Sequence, residues 1–246
     1  VSIALLTVLV KDFNIDIKKN IKFMAGHSLG EYTALAASKS LEIADVAKLL
    51  KARGASMQKA VPLNKGSMAA FMGAGIDVIR DILVKDRENL ICDIANHNTK
   101  LQVVISGDVD AVENAIAMAK EKNIRSIKLP VSAPFHCAHM KKTAEDLKIY
   151  FNQLNFKIPE VDIISNFSAN VVESVGELKE VLYKQTFSTV KWYESMLLMK
   201  SSGINHCIEI GYGKVLSGIN KRIDKDFKTT NSETIVELEQ IAKLLA

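Results

Sequence analysis

A serine stands between two glycines in the run Gly26-His27-Ser28-Leu29-Gly30. An apolar stretch, Ile21–Ala25, reads as a strand ahead of it, and a helical pattern begins just after it. G-x-S-x-G in a strand–turn–helix setting is the pattern of a nucleophile elbow, whose tight turn lifts the serine Oγ clear of the sheet. The N–H of Leu29 opens the new helix and points where an oxyanion would form. A serine hydroxyl needs a base to become a nucleophile. Five histidines compete for that role: His27, His97, His136, His139 and His206. His27 adjoins Ser28, but on a turn its ring points elsewhere. His136 lies in the loop Pro130–His139, between two structural units, where active-site groups commonly collect. His136-x-x-His139 has the spacing of a metal pair, yet no neighbouring carboxylate completes it, so no metal is expected. Gly211-x-Gly-Lys214 lacks the spacing of a phosphate-binding loop.

The elements that must position these residues alternate between short β-branched runs and longer helical patterns, the mark of an α/β fold. Helices are expected at Glu31–Ala37 and Leu41–Ala60. In the second, Ala44, Ala47, Leu50, Gly54 and Met57 recur at helical spacing and predict the buried face. Strands at Met68–Met72, Leu90–Ala95, Leu101–Ile105 and Ile127–Val131 enclose helices at Asp77–Val84 and Val109–Glu121. That order, βαββαβ, is ferredoxin-like. The reading is therefore a hydrolase-like parallel-sheet core, residues 1–61 and 133–246, split by an inserted ferredoxin-like small domain, residues 62–132. Further helices are predicted at Lys141–Leu154, Glu177–Tyr183, Val190–Ser201, after Gly213 through Arg222, and at Leu238–Leu245. Strands are predicted at Val161–Ser165 and Cys207–Ile210. Ile3–Val10 reads as the middle of a buried helix, which leads us to expect chain ahead of Val1.

The 246 residues are 48% hydrophobic, which excludes a disordered or fibrous chain. Aromatics make up only 6%, so the core rests on aliphatic residues. The charge of +4 is too mild for a nucleic-acid stripe. No apolar run reaches the length of a membrane span. Three scattered cysteines, Cys92, Cys137 and Cys207, suit a reducing compartment. A cytoplasmic location, or an organellar stroma in a eukaryote, is expected.

Six segments in order resemble the malonyl-CoA:acyl-carrier-protein transacylases of type II fatty acid synthesis. They are Gly26–Leu35, Arg53-Gly-x-x-Met57-Gln, Asn96-x-Asn98 ahead of Gln102–Gly107, the loop ending Phe135-His136-Cys137, Gln185 ahead of Val190-x-Trp192, and Glu209–Gly218. The resemblance implies that Ser28 attacks malonyl-CoA and that His136 takes its proton, the imidazole being oriented by a neutral oxygen, with Gln185 the matching side chain. It implies that Arg53 grips the malonyl carboxylate with its planar fork. Phe135 would narrow the pocket where an α-methyl group would sit, and Met57 and Asn98 complete the substrate-binding set. No bound cofactor is implied. The partners are a coenzyme A thioester and an acyl carrier protein, whose phosphopantetheine thiol receives the malonyl group. The family's N-terminal Gly-Gln-Gly turn, a second oxyanion donor, does not occur in these residues. Tyr212 stands where the family often has proline. Lys214, Lys221, Arg222, Lys225 and Lys228 form a basic cluster suited to an acidic carrier protein.

Two other functions compete. One is an esterase or thioesterase of α/β-hydrolase type, using Ser28, Asp162 and His206 in that chain order. The other is a truncated, inactive acyltransferase-like domain.

Overall fold

The computed structural model describes residues 1–85, 90–131 and 133–245. It opens with α1 (Ser2–Lys11), α2 (Ile17–Asn20), β1 (Phe23–Met24), α3 (Leu29–Ala37) and α4 (Ile43–Lys59). Next come β2 (Gly66–Met72), α5 (Ile76–Lys85), β3 (Cys92–Thr99), β4 (Gln102–Asp108), α6 (Val109–Glu121) and β5 (Arg125–Lys128). The chain continues through α7 (Lys141–Gln153), β6 (Asp162–Ile163), α8 (Val175–Gln185) and α9 (Trp192–Ser201), and closes with β7 (His206–Glu209), α10 (Val215–Ile223), β8 (Lys228–Asn231) and α11 (Ile235–Leu245).

β2 to β5 form one antiparallel sheet in the order β3-β4-β2-β5. This is the strand order of a ferredoxin-like βαββαβ unit. Phe71, Val103 and Ile105 on one sheet face pack against Ile79, Val112 and Ala115 of α5 and α6. The last strand ends earlier than Ile127–Val131. Pro130 has no N–H to donate, so the ladder stops once Leu129 has bonded Met68. We propose residues 62–132 as the small domain, with the remainder as the large one; Ser132 and Ala246 lie outside the described residues.

The remaining strands form two parallel ladders, β1 with β6 and β7 with β8. β1 and β7 both line one groove of about 790 Å³, with Phe23, Ala25, Cys207 and Ile210 among its walls. Polar β8, Lys-Thr-Thr-Asn, carries no alternation that sequence reading could detect. A second core gathers Tyr32 and Leu35 of α3, Leu49 of α4, Leu147 of α7 and Leu182 of α8 around Ile163. α1 is helical as expected, but only Leu9 on it is buried.

The buried stripe of α4 is only partly the one predicted, Met57 being common to both. Val46, Leu49, Arg53 and Met57 face inward, while Ala44, Ala47 and Gly54 are exposed. The larger side chains bury more apolar area and win the face. Arg53 is thereby carried inside on the apolar stripe.

The two elbow glycines are not equivalent. A Cβ on Gly26 would lie 2.0 Å from the backbone carbon of Gly30, whereas one on Gly30 would meet nothing within 4 Å. Strand and helix can cross this closely only because residue 26 has no side chain. Gly26→Ala should cost about 3 kcal/mol or more, whereas Gly30→Ala should be neutral or raise stability by roughly 0.5–1 kcal/mol. Denaturant midpoints of the two variants check the difference.

Candidate active site

Ser28 caps α3 with φ 54° and ψ −103°. A non-glycine residue pays about 1–3 kcal/mol for such a conformation and keeps it only when its surroundings impose it. Here two side chains clamp the turn. The Ser28 N–H donates to Asn166 Oδ1 at 2.7 Å, and Asn166 Nδ2 donates to the Gly26 carbonyl at 2.8 Å. Gln185 Nε2 donates to the Ser28 carbonyl at 2.9 Å. Leu29 is the first residue of α3, so its N–H is among the donors that a helix leaves without an internal partner.

Ser28 Oγ lies 2.6 Å from His136 Nε2 and 3.0 Å from Arg53 Nη2. His136 Nδ1 lies 2.9 Å from the main-chain carbonyl of Gln185. A carbonyl only accepts, so Nδ1 holds the ring proton and Nε2 presents its lone pair to the hydroxyl. The orienting oxygen is thus the backbone of Gln185 and not its side chain, which serves Ser28 and Glu31 instead. Burial, reinforced by the Arg53 charge, pushes the His136 pKa down to about 3.

Arg53 is buried, its guanidinium 5.3 Å from the Tyr32 ring centroid. Nη2 also reaches Gln185 Oε1 at 3.4 Å, and Nε has no partner among the described residues. A buried guanidinium with an unpaired donor calls for an explanation. Glu31 and Asn166 escaped sequence reading. Glu31 is wholly buried, and Oε2 accepts from Gln185 Nε2 at 3.0 Å and from the Asn166 N–H at 3.2 Å. Burial pushes its pKa up to about 7, against the pull of hydrogen bonds from Gln185, Asn166 and Ser165 and the Arg53 charge. Its spacing, three residues after Ser28 on the first helical turn, was a usable signal; Asn166 offered none.

The structure therefore brings Ser28, His136, Arg53 and Gln185 together. Met57 is buried one turn beyond Arg53 on α4. Phe135 packs on Met68, Ala70, Ala95 and Val104, on the side of the small sheet away from its helices. Asn98 Oδ1 pairs with His27 Nε2 at 2.9 Å, and the His27 ring lies 5.8 Å from Trp192. Asp162 sits on β6 opposite Phe23, and His206 Nε2 contacts Thr230 Oγ1 at 2.8 Å, so the esterase triad does not assemble around Ser28. His139 does have a carboxylate, Asp108 at 2.9 Å, brought from a distant strand. Among the described residues no group of three or more side chains could hold a metal, and no helix is long and apolar enough to cross a membrane. A cleft of about 540 Å³ reaches His136 between the small sheet and residues 187–189, with Arg80 and Lys141 on its walls. Of the basic cluster, Lys214 is tied to Glu233 and Glu237.

An acyl transferase domain model matches residues 21–238. The chain belongs to that family. This acyl transferase domain is 40% identical over 218 residues to the malonyl CoA-acyl carrier protein transacylase of Bacillus subtilis, covering 87% of this chain and 69% of the relative. The chain spans about two thirds of the length of the curated relatives it matches. The crystal structure of an acyl-carrier-protein-S-malonyltransferase from Bartonella henselae superposes with TM-score 0.96 at 39% identity, over 100% of this chain and 78% of that one. A malonyl-transacylase solved in complex with its type II PKS acyl-carrier protein gives TM-score 0.94 at 30% identity, over 99% and 78%.

Two buried groups give acid stability opposite signs. His136 binds its proton less readily folded than unfolded, so its contribution is present above pH 6.5 and is lost as pH falls toward 3. Glu31 binds its proton more readily folded, so its contribution is present below pH 4.5 and is lost as pH rises through 7. Between 4.5 and 6.5 the two oppose each other. Glu31→Gln should expose the histidine and lose about 2 kcal/mol relative to wild type between pH 6.5 and 4.5. Urea midpoints at the two pH values check this; parallel behaviour of the two proteins contradicts it.

Proposed function

We propose that this chain moves a malonyl group from malonyl-CoA to the phosphopantetheine thiol of an acyl carrier protein, through a malonyl-Ser28 intermediate. The observation that carries the reading is one oxygen with two partners. Ser28 Oγ touches both a lone-pair imidazole nitrogen and a buried guanidinium. A general esterase needs the first and has no use for the second.

In the first half-reaction Ser28 Oγ attacks the thioester carbonyl while its proton passes to His136 Nε2. The oxyanion accepts from the Leu29 N–H. Collapse breaks the carbon–sulfur bond, and His136 returns the proton to the departing coenzyme A thiolate. In the second half-reaction the carrier thiol gives its proton to His136 and attacks malonyl-Ser28, and the proton then returns to Ser28 Oγ. The route is ping-pong, and positioned base catalysis of this kind is worth roughly 10²–10⁴-fold. Arg53 holds the malonyl carboxylate. That pairing also tunes the base: the Arg53 charge is one cause of the low His136 pKa, and a bound carboxylate offsets it. Substrate arrival thus raises the proton affinity of the imidazole as the proton is needed.

Met57, Phe135 and Asn98 line or support the acyl pocket in this reading. Exposed Lys221, Arg222, Lys225 and Lys228 offer an acidic carrier protein a basic face. Likeness to a transacylase solved with its carrier protein supports that partner. Cys92, Cys137 and Cys207 are not joined in disulfides, which fits a reducing, cytoplasmic setting.

Incubation with malonyl-CoA should leave a malonyl group on the Ser28 peptide, and Ser28→Ala should carry none. Arg53→Ala should lower kcat/KM for malonyl-CoA on the order of 10²-fold and leave acetyl-CoA the better substrate. A labelled Ser28→Ala, or an Arg53 variant with full malonyl selectivity, overturns the mechanism.

A further inference from the structure

Glu31 is a wholly buried carboxyl to which the steps above give no role. Its surroundings are dry: Tyr32 and Leu35 on its own helix are 0% exposed, as is Gln185. Oε1 has no hydrogen-bond partner among the described residues. A group required only to fill space here would be more stable as a hydrocarbon, since a buried carboxyl with an unsatisfied oxygen is costly. The other oxygen accounts for the cost. Oε2 accepts from Gln185 and from Asn166 at once. Those residues belong to different segments and hold different halves of the reacting pair. Asn166 Oδ1 receives the Ser28 N–H. The Gln185 carbonyl receives His136 Nδ1, and the Gln185 side chain reaches the Ser28 carbonyl. One oxygen therefore joins the segment that carries the nucleophile's clamp to the segment that orients the base.

We infer that Glu31 is a positioning residue that sets the Ser28–His136 distance through its shared Oε2 acceptor. The inference rests on Ser28 and His136 acting together as proposed above, but not on malonyl being the acyl group. Arg53, Tyr32 and His136 are the other ionisable side chains around this cluster, and none of them hydrogen-bonds Oε2. Removing the acceptor frees the Asn166 N–H and one hydrogen of Gln185 Nε2, whose other hydrogen stays on the Ser28 carbonyl. Asn166 and Gln185 are both clamps on the Ser28 main chain, so the nucleophile shifts against His136 when they loosen. A shift of about 1 Å at a reacting pair costs on the order of 10²-fold in rate.

The test uses a fluorophosphonate, which reports an activated serine whatever the natural acyl donor. The second-order rate of Ser28 labelling is measured by peptide mass for wild type, Glu31→Ala, Glu31→Gln and Glu31→Asp, alongside thermal unfolding of each. The carboxamide of Gln keeps an oxygen at the Oε2 position, whereas Asp keeps the charge but falls one methylene short. We expect Glu31→Asp and Glu31→Ala to label at least about tenfold more slowly, with Glu31→Gln nearer wild type than to either. Asp decides the matter if Ala does not fold. A Glu31→Asp variant that labels at the wild-type rate, or a folded Glu31→Gln variant as slow as Glu31→Asp, overturns the inference. Wild-type labelling by the fluorophosphonate without labelling by malonyl-CoA overturns the substrate reading and leaves the positioning test intact.

Discussion

The close crossing of strand and helix at Gly26 is the constraint on which the site depends. Only a residue without a Cβ lets the Gly26 backbone lie against Gly30 and Glu31. The crossing forces Ser28 into a strained turn and aims Oγ away from the sheet. The strain persists because Asn166 and Gln185 hold both ends of the Ser28 peptide unit. Each clamp comes from the large domain but from a different part of it, so the nucleophile's geometry is a product of the whole packed core.

Around that oxygen the fold assembles a dry cluster of groups whose charges work against one another. Arg53 arrives on the apolar stripe of α4, between Leu49 and Met57. Its charge helps keep the neighbouring imidazole neutral, and a neutral imidazole is the form able to accept a proton. Glu31 is present in the same interior, yet its geometry addresses amide donors and not the guanidinium. The site therefore sets a buried guanidinium directly against the nucleophile, the feature on which the proposed carboxylate-bearing acyl group rests. The small sheet closes the other side, tied to the large domain by hydrogen bonds between β3 and residues 189–190.

Much of this was legible in the sequence, for identifiable reasons. G-x-S-x-G announces itself because the close crossing of strand and helix requires a glycine at position 26, and the βαββαβ unit because its hydrophobic periods switch cleanly between 2 and 3.6. Arg53 and His136 were identified through motif order, and they do converge on Ser28. Register and partner choice were less visible. The inward face of α4 was misjudged because small alanines satisfied the period as well as the larger residues that pack. Gln185 was expected to act through its amide, but the carbonyl that holds His136 is a main-chain atom that every residue has. Asn166 lies in an irregular segment after β6, where no period exists, and Asp108 reaches His139 only through strand pairing. Such contacts are set by tertiary structure and leave no local pattern.

The most direct test of the account is the pre-steady-state release of coenzyme A when the enzyme meets malonyl-CoA without a carrier protein. A serine acylated with the help of His136 predicts a rapid burst of one coenzyme A per site in the wild type and a burst slowed by at least about 10²-fold in His136→Ala. A His136→Ala protein that bursts at the wild-type rate would contradict it.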